Sequence, residues 1–236
     1  MFSPSQTHNN ITVFGSPRSG STFVFHNIIT GLVSEYPEYS TEFNHRRYGS
    51  EPFRRNNDMR TRWNIFPKSY CVSKFHLIDL LNANEMGWWH EINQNSHYNI
   101  LLLRKNLWES ALSLAISTHK NQWINDLDDT KVTIDTPLFL NSLDVQIRNI
   151  NHLWGDNDFN IKPDQIIFTE ELTDNPSDLY ESITGNRLLL ENTVKKSPDK
   201  ESVIVNLSEL RSAYEQADKD LHGRATLEGD MVNYNE

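Results

Sequence analysis

Four short runs of apolar residues stand out along the chain, and longer stretches with a helical repeat separate them. The runs cover residues 11–15, 70–75, 99–104 and 165–169. Their apolar residues follow one another without regular alternation with polar ones, which is typical of strands covered on both faces in a parallel sheet. The pattern therefore predicts four buried parallel strands.

The stretches between these runs have apolar residues at the spacing of an amphipathic helix. One predicted helix covers residues 22–33, directly after the first run. A second begins at Asn106, where Glu109 three residues later completes a capping-box pattern. A third covers residues 135–154 and has Pro137 just inside its start. Because strands alternate with helices, the sequence predicts an α/β fold, with a central parallel sheet in a three-layer α/β/α domain.

A fourth predicted helix covers residues 199–221, near the end of the chain. Its apolar residues recur every three or four positions and are Val203, Leu207, Leu210, Tyr214, Ala217 and Leu221. Such a stripe packs either on the body of the same protein or on a second copy of the chain. We favour packing on the sheet, and a homodimer is the alternative.

Two polar segments interrupt the alternation, at residues 34–69 and 120–135, and both are predicted to be irregular. An irregular segment of this length in a compact domain is often a substrate loop or a lid. Six arginines are concentrated in the first segment: Arg46, Arg47, Arg54, Arg55, Arg60 and Arg62. They belong either to a solvated loop or to a lid that recognises an anionic acceptor or covers the phosphates of a bound nucleotide.

The composition narrows the class of protein. The chain has 236 residues, of which 37% are hydrophobic, and we expect a single domain over residues 1–236. A formal net charge of -10 disfavours nucleic acid and anionic membranes as partners, because both bind basic surfaces. The lone cysteine, Cys71, excludes an intrachain disulfide, and no apolar stretch approaches the roughly 20 residues of a membrane span. Since the first ten residues are polar as well, the sequence predicts a cytoplasmic protein.

The first run leads into the stretch GSPRSGST, residues 15–22, which nearly matches a Walker A loop. Its two glycines are five residues apart, but Ser21 stands where that loop has a lysine. A glycine-rich turn between a strand and a helix directs backbone N–H groups at a bound anion. Side-chain donors are added by three hydroxyls and one guanidinium, those of Ser19, Ser21, Thr22 and Arg18. The stretch therefore predicts a P-loop-like anion site.

The end of the third run disfavours a magnesium-dependent nucleotide site. Walker-type sites hold magnesium with an acidic residue at the end of a neighbouring strand. Here the last residue of the run is Arg104, and Lys105 follows it. Both side chains are cationic and repel a divalent cation. The nine histidines have no spacing typical of metal ligands. We therefore expect a nucleotide that is bound without a metal.

Three stretches together resemble sulfotransferases that use 3′-phosphoadenosine 5′-phosphosulfate (PAPS). GSPRSGST is similar to their loop for the 5′-phosphosulfate, and LLLRKNLWESALSLAIS is similar to the strand and helix that hold the 3′-phosphate. IIFTEELTDNPSDLYESITG is similar to a third segment of the family, in which many members have a tyrosine near the adenine. The resemblance covers residues 11–185 and is greatest to bacterial enzymes of the trehalose-modifying type.

The resemblance implies two groups of donor-binding residues. The group for the 5′-phosphosulfate comprises Arg18, Ser19, Gly20, Ser21 and Thr22. The group for the 3′-phosphate comprises Arg104 and Ser113. Thr169 stands where many members have the tyrosine near the adenine. The C-terminal glycine-rich loop of the family has no clear counterpart, because Gly223 and Arg224 have a poorly matching spacing.

The base that takes the proton from the acceptor has two candidates. Lys74 and His76 are two residues apart, so they share one face if the second strand extends that far. They are similar to a Lys-x-His pair of the family, which implies that the lysine contacts the sulfonate and the histidine is the base. In the trehalose-type enzymes a glutamate after the first helix is the base, and Glu42, or Glu38 nearby, stands close to that place. We favour His76, since the ordinary pKa of histidine, about 6.5, suits a general base.

The resemblance thus implies a sulfotransferase that moves a sulfuryl group from PAPS, without a metal, to a hydroxyl or an amine. The expected acceptor is a small molecule, a saccharide or a lipid, with anionic acceptors included. Two alternatives from other classes remain open. One is a divergent P-loop kinase or nucleotide hydrolase, and the other is a catalytically inactive fold that serves as a nucleotide-binding or structural module.

Overall fold

The protein is represented by a computed structural model, which describes residues 10–21, 24–25, 27, 31, 40–44, 71–77, 80–81, 89–90, 94, 96–120, 130–171, 176–185 and 199–235. Its strands are β1 (Asn10–Gly15), β2 (Ser40–Asn44), β3 (Cys71–His76), β4 (Tyr98–Leu103), β5 (Gln165–Phe168), β6 (Ala225–Glu228) and β7 (Met231–Tyr234). Its helices with described bounds are α1 (Leu107–His119), α2 (Thr136–Ile150), α3 (Pro176–Thr184) and α4 (Leu207–Gln216). Within these ranges, none of the helices has both the length and the apolar character that crossing a bilayer requires.

The chain forms two compact units that alternate along the sequence. The first, called the sheet unit, consists of Met1–Ser16, Gly20–Leu103 and Asp158–Asn192. The second, called the helical unit, consists of Pro17–Ser19, Arg104–Asn157 and Thr193–Glu236. The expectation that residues 1–236 fold as a single domain stays a prediction.

Five parallel strands form the sheet unit, in the order β2-β3-β1-β4-β5. The central strand β1 pairs with β3 on one side and with β4 on the other, and Gly15 lies opposite His76. β4 is buried along its whole length, as its continuous apolar run predicted. All four predicted runs are strands, to within one residue at each end. The prediction of an α/β fold with a central parallel sheet flanked by helices is confirmed.

Three strands were not predicted, namely β2, β6 and β7. β2 lies inside the segment 34–69, which the sequence predicted to be irregular, so that prediction is wrong for Ser40–Asn44. β2 pairs with β3 and lies at the edge of the sheet, and the register between the two strands shifts between Ser40 and Phe43. An edge strand does not need the continuous apolar run of a central strand, and STEFN has none. The six arginines at 46–62 lie outside the described residues, and the lid remains a prediction.

The helix predicted for residues 22–33 is present at its described positions and begins one residue early, at Ser21. Its first turn is closed by a hydrogen bond from the Val24 amide to the Gly20 carbonyl, 3.1 Å long. The side chains of Val24 and Phe25 are buried in the sheet unit. Further along, Gly31 is helical and lies against the ring of Tyr180 on α3, so that a methyl group at Gly31 would be 2.4 Å from that ring.

Replacing Gly31 with alanine is therefore expected to destabilise the protein. The Tyr180 ring is fully buried, so it cannot move aside without a cost elsewhere in the core. We expect the free energy of unfolding to fall by about 1–2 kcal/mol, because overpacking outweighs the better helix propensity of alanine. Urea unfolding measures this change. Ser208→Ala on the exposed side of α4 is the control and should change the free energy of unfolding by less than about 0.5 kcal/mol. A Gly31→Ala variant as stable as this control would contradict the close packing of Gly31 on the Tyr180 ring.

The helical unit is centred on Trp108 of α1. Its ring makes edge contacts with Phe139 of α2 at 5.3 Å and with Tyr214 of α4 at 5.2 Å, measured between ring centroids. The predicted cap of α1 is confirmed, since the Glu109 amide donates to the Asn106 side chain over 2.9 Å. The helical spacing of apolar residues predicted for this helix is reflected in the burial of Leu143, Ile147 and Ile150 in α2. Leu140, nearer the start of α2, is 37% exposed.

The last helix is shorter than predicted. The sequence predicted a helix over residues 199–221, whereas α4 covers Leu207–Gln216 and a separate 3-10 turn covers Glu201–Val203. Ala217 has an extended backbone, and the Lys219 ammonium caps the carbonyls of Tyr214 and Ala217. Of the predicted apolar stripe, Val203 is buried before the helix and Leu210 and Tyr214 are buried within it, whereas Leu207, Ala217 and Leu221 are partly exposed. Apolar spacing therefore predicted half of the stripe as buried residues and predicted the helix ends poorly.

Candidate functional site

The loop after β1 has the strand-turn-helix form that an anion-binding turn requires. In the sheet unit, β1 ends at Gly15 and the next helix starts at Ser21. Gly20 has a φ of 75°, in the left-handed region that favours glycine. The Ser21 side chain is buried at the helix start, where backbone N–H groups have no partner within the helix. The strand, turn and helix expected around GSPRSGST are thus present, and the P-loop-like anion site stays a prediction.

The sheet unit brings Ser21 and His76 together. A hydrogen bond of 3.1 Å joins the Ser21 hydroxyl to Nε2 of His76, and both residues are buried. β3 extends to His76, as the pairing of Lys74 and His76 on one face required. The favoured base therefore contacts a residue of the predicted anion-binding loop.

Lys74 is the second predicted residue on this face of β3. Its side chain is 1% exposed, and its ammonium lies 5.9 Å from the centre of the Phe25 ring. That distance is at the outer limit of a cation–π contact. A lysine is rarely buried so completely, because a charged group loses its hydration there unless other groups replace the water. This burial marks Lys74 as a residue with a specific role in the sheet unit.

Some predicted residues cannot be compared with the structure. Thr22 lies outside the described residues, and so does Glu38. Glu42 lies in β2, in the irregular part of its register with β3, but its side chain is outside the described part of the chain. The choice between His76 and Glu42 as the base remains a prediction.

The helical unit brings the other predicted residues together. Arg18 donates from Nε to the Ser113 hydroxyl over 3.3 Å. Arg104 donates from Nη1 to the main-chain carbonyl of Arg18 over 3.2 Å. The resemblance had put Arg18 in the group for the 5′-phosphosulfate and Arg104 with Ser113 in the group for the 3′-phosphate. In the structure these three residues form one connected set.

The backbone of Arg18 is strained. Its φ is 66°, which costs a residue with a side chain about 1–2 kcal/mol. Two side chains hold this conformation, since Gln146 donates to the carbonyl of Pro17 over 3.1 Å and Arg104 donates to that of Arg18. Strained backbone is maintained only where the surroundings over-determine it, and it is concentrated at functional sites.

Two residues that the sequence did not indicate complete this set, namely Glu109 and Lys200. One carboxylate oxygen of Glu109 lies 3.5 Å from Arg104 Nη2 and 3.4 Å from the Lys200 ammonium. The two cationic side chains are largely buried, at 8% and 19% exposed, whereas the Glu109 side chain is 47% exposed. Lys200 is 91 residues from Glu109 and belongs to no motif, so no local pattern could have predicted it.

The electrostatics of Lys200 reflect this crowding of positive charge. Burial lowers the pKa of the Lys200 ammonium, and the nearby charges of Arg104 and Arg18 lower it further, against the opposing effect of Glu109. The Glu109 carboxylate alone therefore does not offset the effect of burial and of the neighbouring cations on the pKa of Lys200. A bound oxyanion with two or three charged oxygens would supply that compensation.

Thr169, where many family members have a tyrosine, contacts the main chain. Its hydroxyl donates to the carbonyl of Leu103, the last residue of β4, over 3.1 Å. The contact ties the end of β5 to the end of β4 in the sheet unit.

Comparison with protein-family models finds no match to the chain, and comparison with curated proteins finds none either. Among the residues that the structure describes, no group of three or more histidine, cysteine, aspartate or glutamate side chains could hold a metal ion. The candidate functional residues form two sets. The first set, in the sheet unit, is Ser21, Lys74 and His76. The second set, in the helical unit and called the cation set below, is Arg18, Arg104, Ser113 and Lys200, with Glu109 beside them.

Proposed function

We propose that the protein is a PAPS-dependent sulfotransferase that acts in the cytoplasm. It would transfer a sulfuryl group to a hydroxyl or an amine of a small molecule, a saccharide or a lipid. The observation that carries the proposal is the 3.1 Å hydrogen bond between Ser21 and His76. A residue that can take a proton thereby contacts the loop that is suited to an anionic group, which is the pairing that transfer of such a group to a hydroxyl needs.

The chemistry of the cation set fits the donor. An adenosine bisphosphate presents phosphate oxygens at two ends, and guanidinium groups bind such oxygens with strong, charge-assisted hydrogen bonds. Two arginines and a lysine lie together in the helical unit with the Ser113 hydroxyl. Arg104 and Lys105 stand where a magnesium-dependent enzyme has an acidic residue, which supports a donor held by side-chain cations.

In this proposal each residue of the sheet unit has a distinct role. Bound PAPS supplies a sulfuryl group on a phosphate leaving group. His76 takes the proton of the acceptor at Nε2 as the acceptor oxygen attacks the sulfur atom, and Ser21 orients the imidazole until then. Lys74, two residues earlier on the same face, stabilises the negative charge that develops on the leaving oxygen. As the new sulfur–oxygen bond forms, the bond from sulfur to the bridging oxygen of the 5′-phosphate breaks, and adenosine 3′,5′-bisphosphate leaves with that oxygen.

Glu109 is expected to weaken donor binding, because its carboxylate lies beside the cations that the phosphate would contact. Glu109→Gln should tighten the binding of adenosine 3′,5′-bisphosphate by about three- to tenfold at low salt. Isothermal titration calorimetry measures the affinity. Glu215→Gln is the matched control, since it removes an exposed carboxylate 3.8 Å from another arginine, Arg211, and should leave the affinity unchanged. Weaker binding by Glu109→Gln would contradict this arrangement.

A thermal-shift titration tests the proposed function against its alternatives. A ligand that binds the native protein at a hundred times its Kd should raise Tm by about 5–10 °C for a chain of this size. Adenosine 3′,5′-bisphosphate in EDTA is expected to give this rise, and ATP with magnesium is not. A rise with ATP and magnesium alone would favour a P-loop kinase or hydrolase. A nucleotide response without any sulfuryl transfer to a broad acceptor library would favour an inactive binding module.

A further inference from the structure

The C-terminal hairpin, β6 and β7, is hydrogen-bonded to the turn that leads into α1. The Tyr234 hydroxyl donates to the Arg104 carbonyl over 2.5 Å. The Val232 amide donates to the Lys105 carbonyl over 2.7 Å, and the Leu107 amide donates to the Asp230 carbonyl over 2.9 Å. Asn106 and Met231 also form an isolated antiparallel bridge. Every residue from 104 to 107 is thus paired with the hairpin.

The hairpin is itself fixed within the helical unit. At its start, Gly223 has a φ of 58°, and a side-chain carbon there would lie 2.3 Å from the Gly155 carbonyl oxygen. The ring of Trp154 contacts both ends of the hairpin, since the guanidinium of Arg224, just before β6, lies 4.3 Å from its centre and the Tyr234 ring of β7 meets it edge-on at 6.1 Å. These contacts leave the hairpin little freedom to shift relative to the turn.

The turn that the hairpin holds carries Arg104. The first amides of a helix have no partner within the helix, and the hairpin supplies one for Leu107 at the start of α1. The carbonyl of Arg104 is fixed at the same time, so its backbone dihedral angles are fixed too. Its guanidinium therefore starts from a defined direction when it reaches the Arg18 carbonyl and Glu109.

We infer that the C-terminal hairpin is a positioning element for Arg104, with the Tyr234 hydroxyl as its main contact. The inference rests on the proposed function in one respect, namely that Arg104 binds the second phosphate of an adenosine bisphosphate. The hairpin then sets the preference of the protein for a nucleotide with both a 5′- and a 3′-phosphate over a nucleotide with the 5′-phosphate alone. Tyr234 does not touch the nucleotide in this account and acts through Arg104.

The variant Tyr234→Phe tests the inference because it removes the hydroxyl and keeps the ring on Trp154. Isothermal titration calorimetry should show binding of adenosine 3′,5′-bisphosphate weakened about three- to tenfold, because a less well-positioned Arg104 must be ordered on binding, and binding of adenosine 5′-phosphate unchanged. Amide hydrogen exchange at Leu107 should become faster in the same variant. Tyr98→Phe is the matched control, since its hydroxyl contacts Gln165 in the sheet unit over 3.4 Å, and it should change none of these values.

Two results would overturn the inference. The first is a Tyr234→Phe variant that binds both nucleotides as the unaltered protein does. The second is an equal loss for both nucleotides, which indicates a general loss of structure. If the unaltered protein binds neither nucleotide, the proposed function fails, and the exchange data then decide on the hairpin alone: faster exchange at Leu107 supports positioning of the turn, and unchanged exchange overturns it.

Discussion

Replacing Arg104 with alanine is expected to weaken the binding of adenosine 3′,5′-bisphosphate about a hundredfold. The guanidinium is largely buried beside Lys200 and Glu109, and it also holds the Arg18 carbonyl. Charge-assisted hydrogen bonds are stronger than neutral ones, and a bidentate pair with a phosphate contributes two of them. Arg104→Lys should recover part of the loss, because it keeps the charge without the planar fork. Isothermal titration calorimetry of each variant gives these affinities.

Two comparisons make the Arg104 result specific. Arg148→Ala removes an arginine that is exposed and paired with Asp144 on α2, so it serves as the control and should bind the bisphosphate normally. Adenosine 5′-phosphate should lose less than about threefold in affinity on Arg104→Ala, because it lacks the phosphate that this arginine is proposed to bind. An equal loss for both nucleotides would show that Arg104 supports the fold rather than the 3′-phosphate.

The second large effect is expected from His76→Ala. Loss of a general base should lower the rate of sulfuryl transfer about a hundredfold or more, while the affinity for adenosine 3′,5′-bisphosphate stays within about twofold of normal. The reason is that His76 touches Ser21 of the loop through Nε2 and is proposed to act on the acceptor proton. Turnover with an acceptor found by library screening provides the rate, and calorimetry provides the affinity.

Glu42→Ala is the paired experiment for His76→Ala, since Glu42 is the other candidate base. We expect it to retain most of the turnover. If His76→Ala keeps more than about a tenth of the normal rate and Glu42→Ala does not, the base is Glu42 and the role of His76 is wrong. His222→Ala is a control for removal of an imidazole, because His222 is exposed and pairs with Asp156 and Asp220, which belong to neither set of site residues.

The sequence predicted the central sheet well for a physical reason. A strand buried on both faces must be apolar at every position, so β1, β3, β4 and β5 are visible as continuous runs. β2 lies at the edge of the sheet, where that requirement ends, and its STEFN sequence gives no such signal. The N-terminal bound of α4 was missed because Val203, which continues the apolar spacing, is buried from a separate 3-10 turn and not from the helix.

The candidate site was predictable where its residues belong to local motifs. Arg18 and Ser21 lie in one glycine-rich loop, which its spacing indicated, and Arg104 and Ser113 lie in one strand-helix stretch, which the resemblance to sulfotransferases indicated. Residues brought in by long-range contacts had no such signal. Lys200 reaches Glu109 across 91 residues, and Tyr234 reaches Arg104 across 130. Both contacts depend on how the C-terminal part of the chain packs within the helical unit. Local sequence patterns do not record such packing.

The most direct test of the account is calorimetric titration of the purified chain of residues 1–236 with adenosine 3′,5′-bisphosphate in the presence of EDTA. The account predicts saturable binding to one site per chain, with an affinity that falls as salt is added because cations make the main contacts. An absence of saturable heat up to millimolar nucleotide, or binding that appears only when magnesium is supplied, would contradict it.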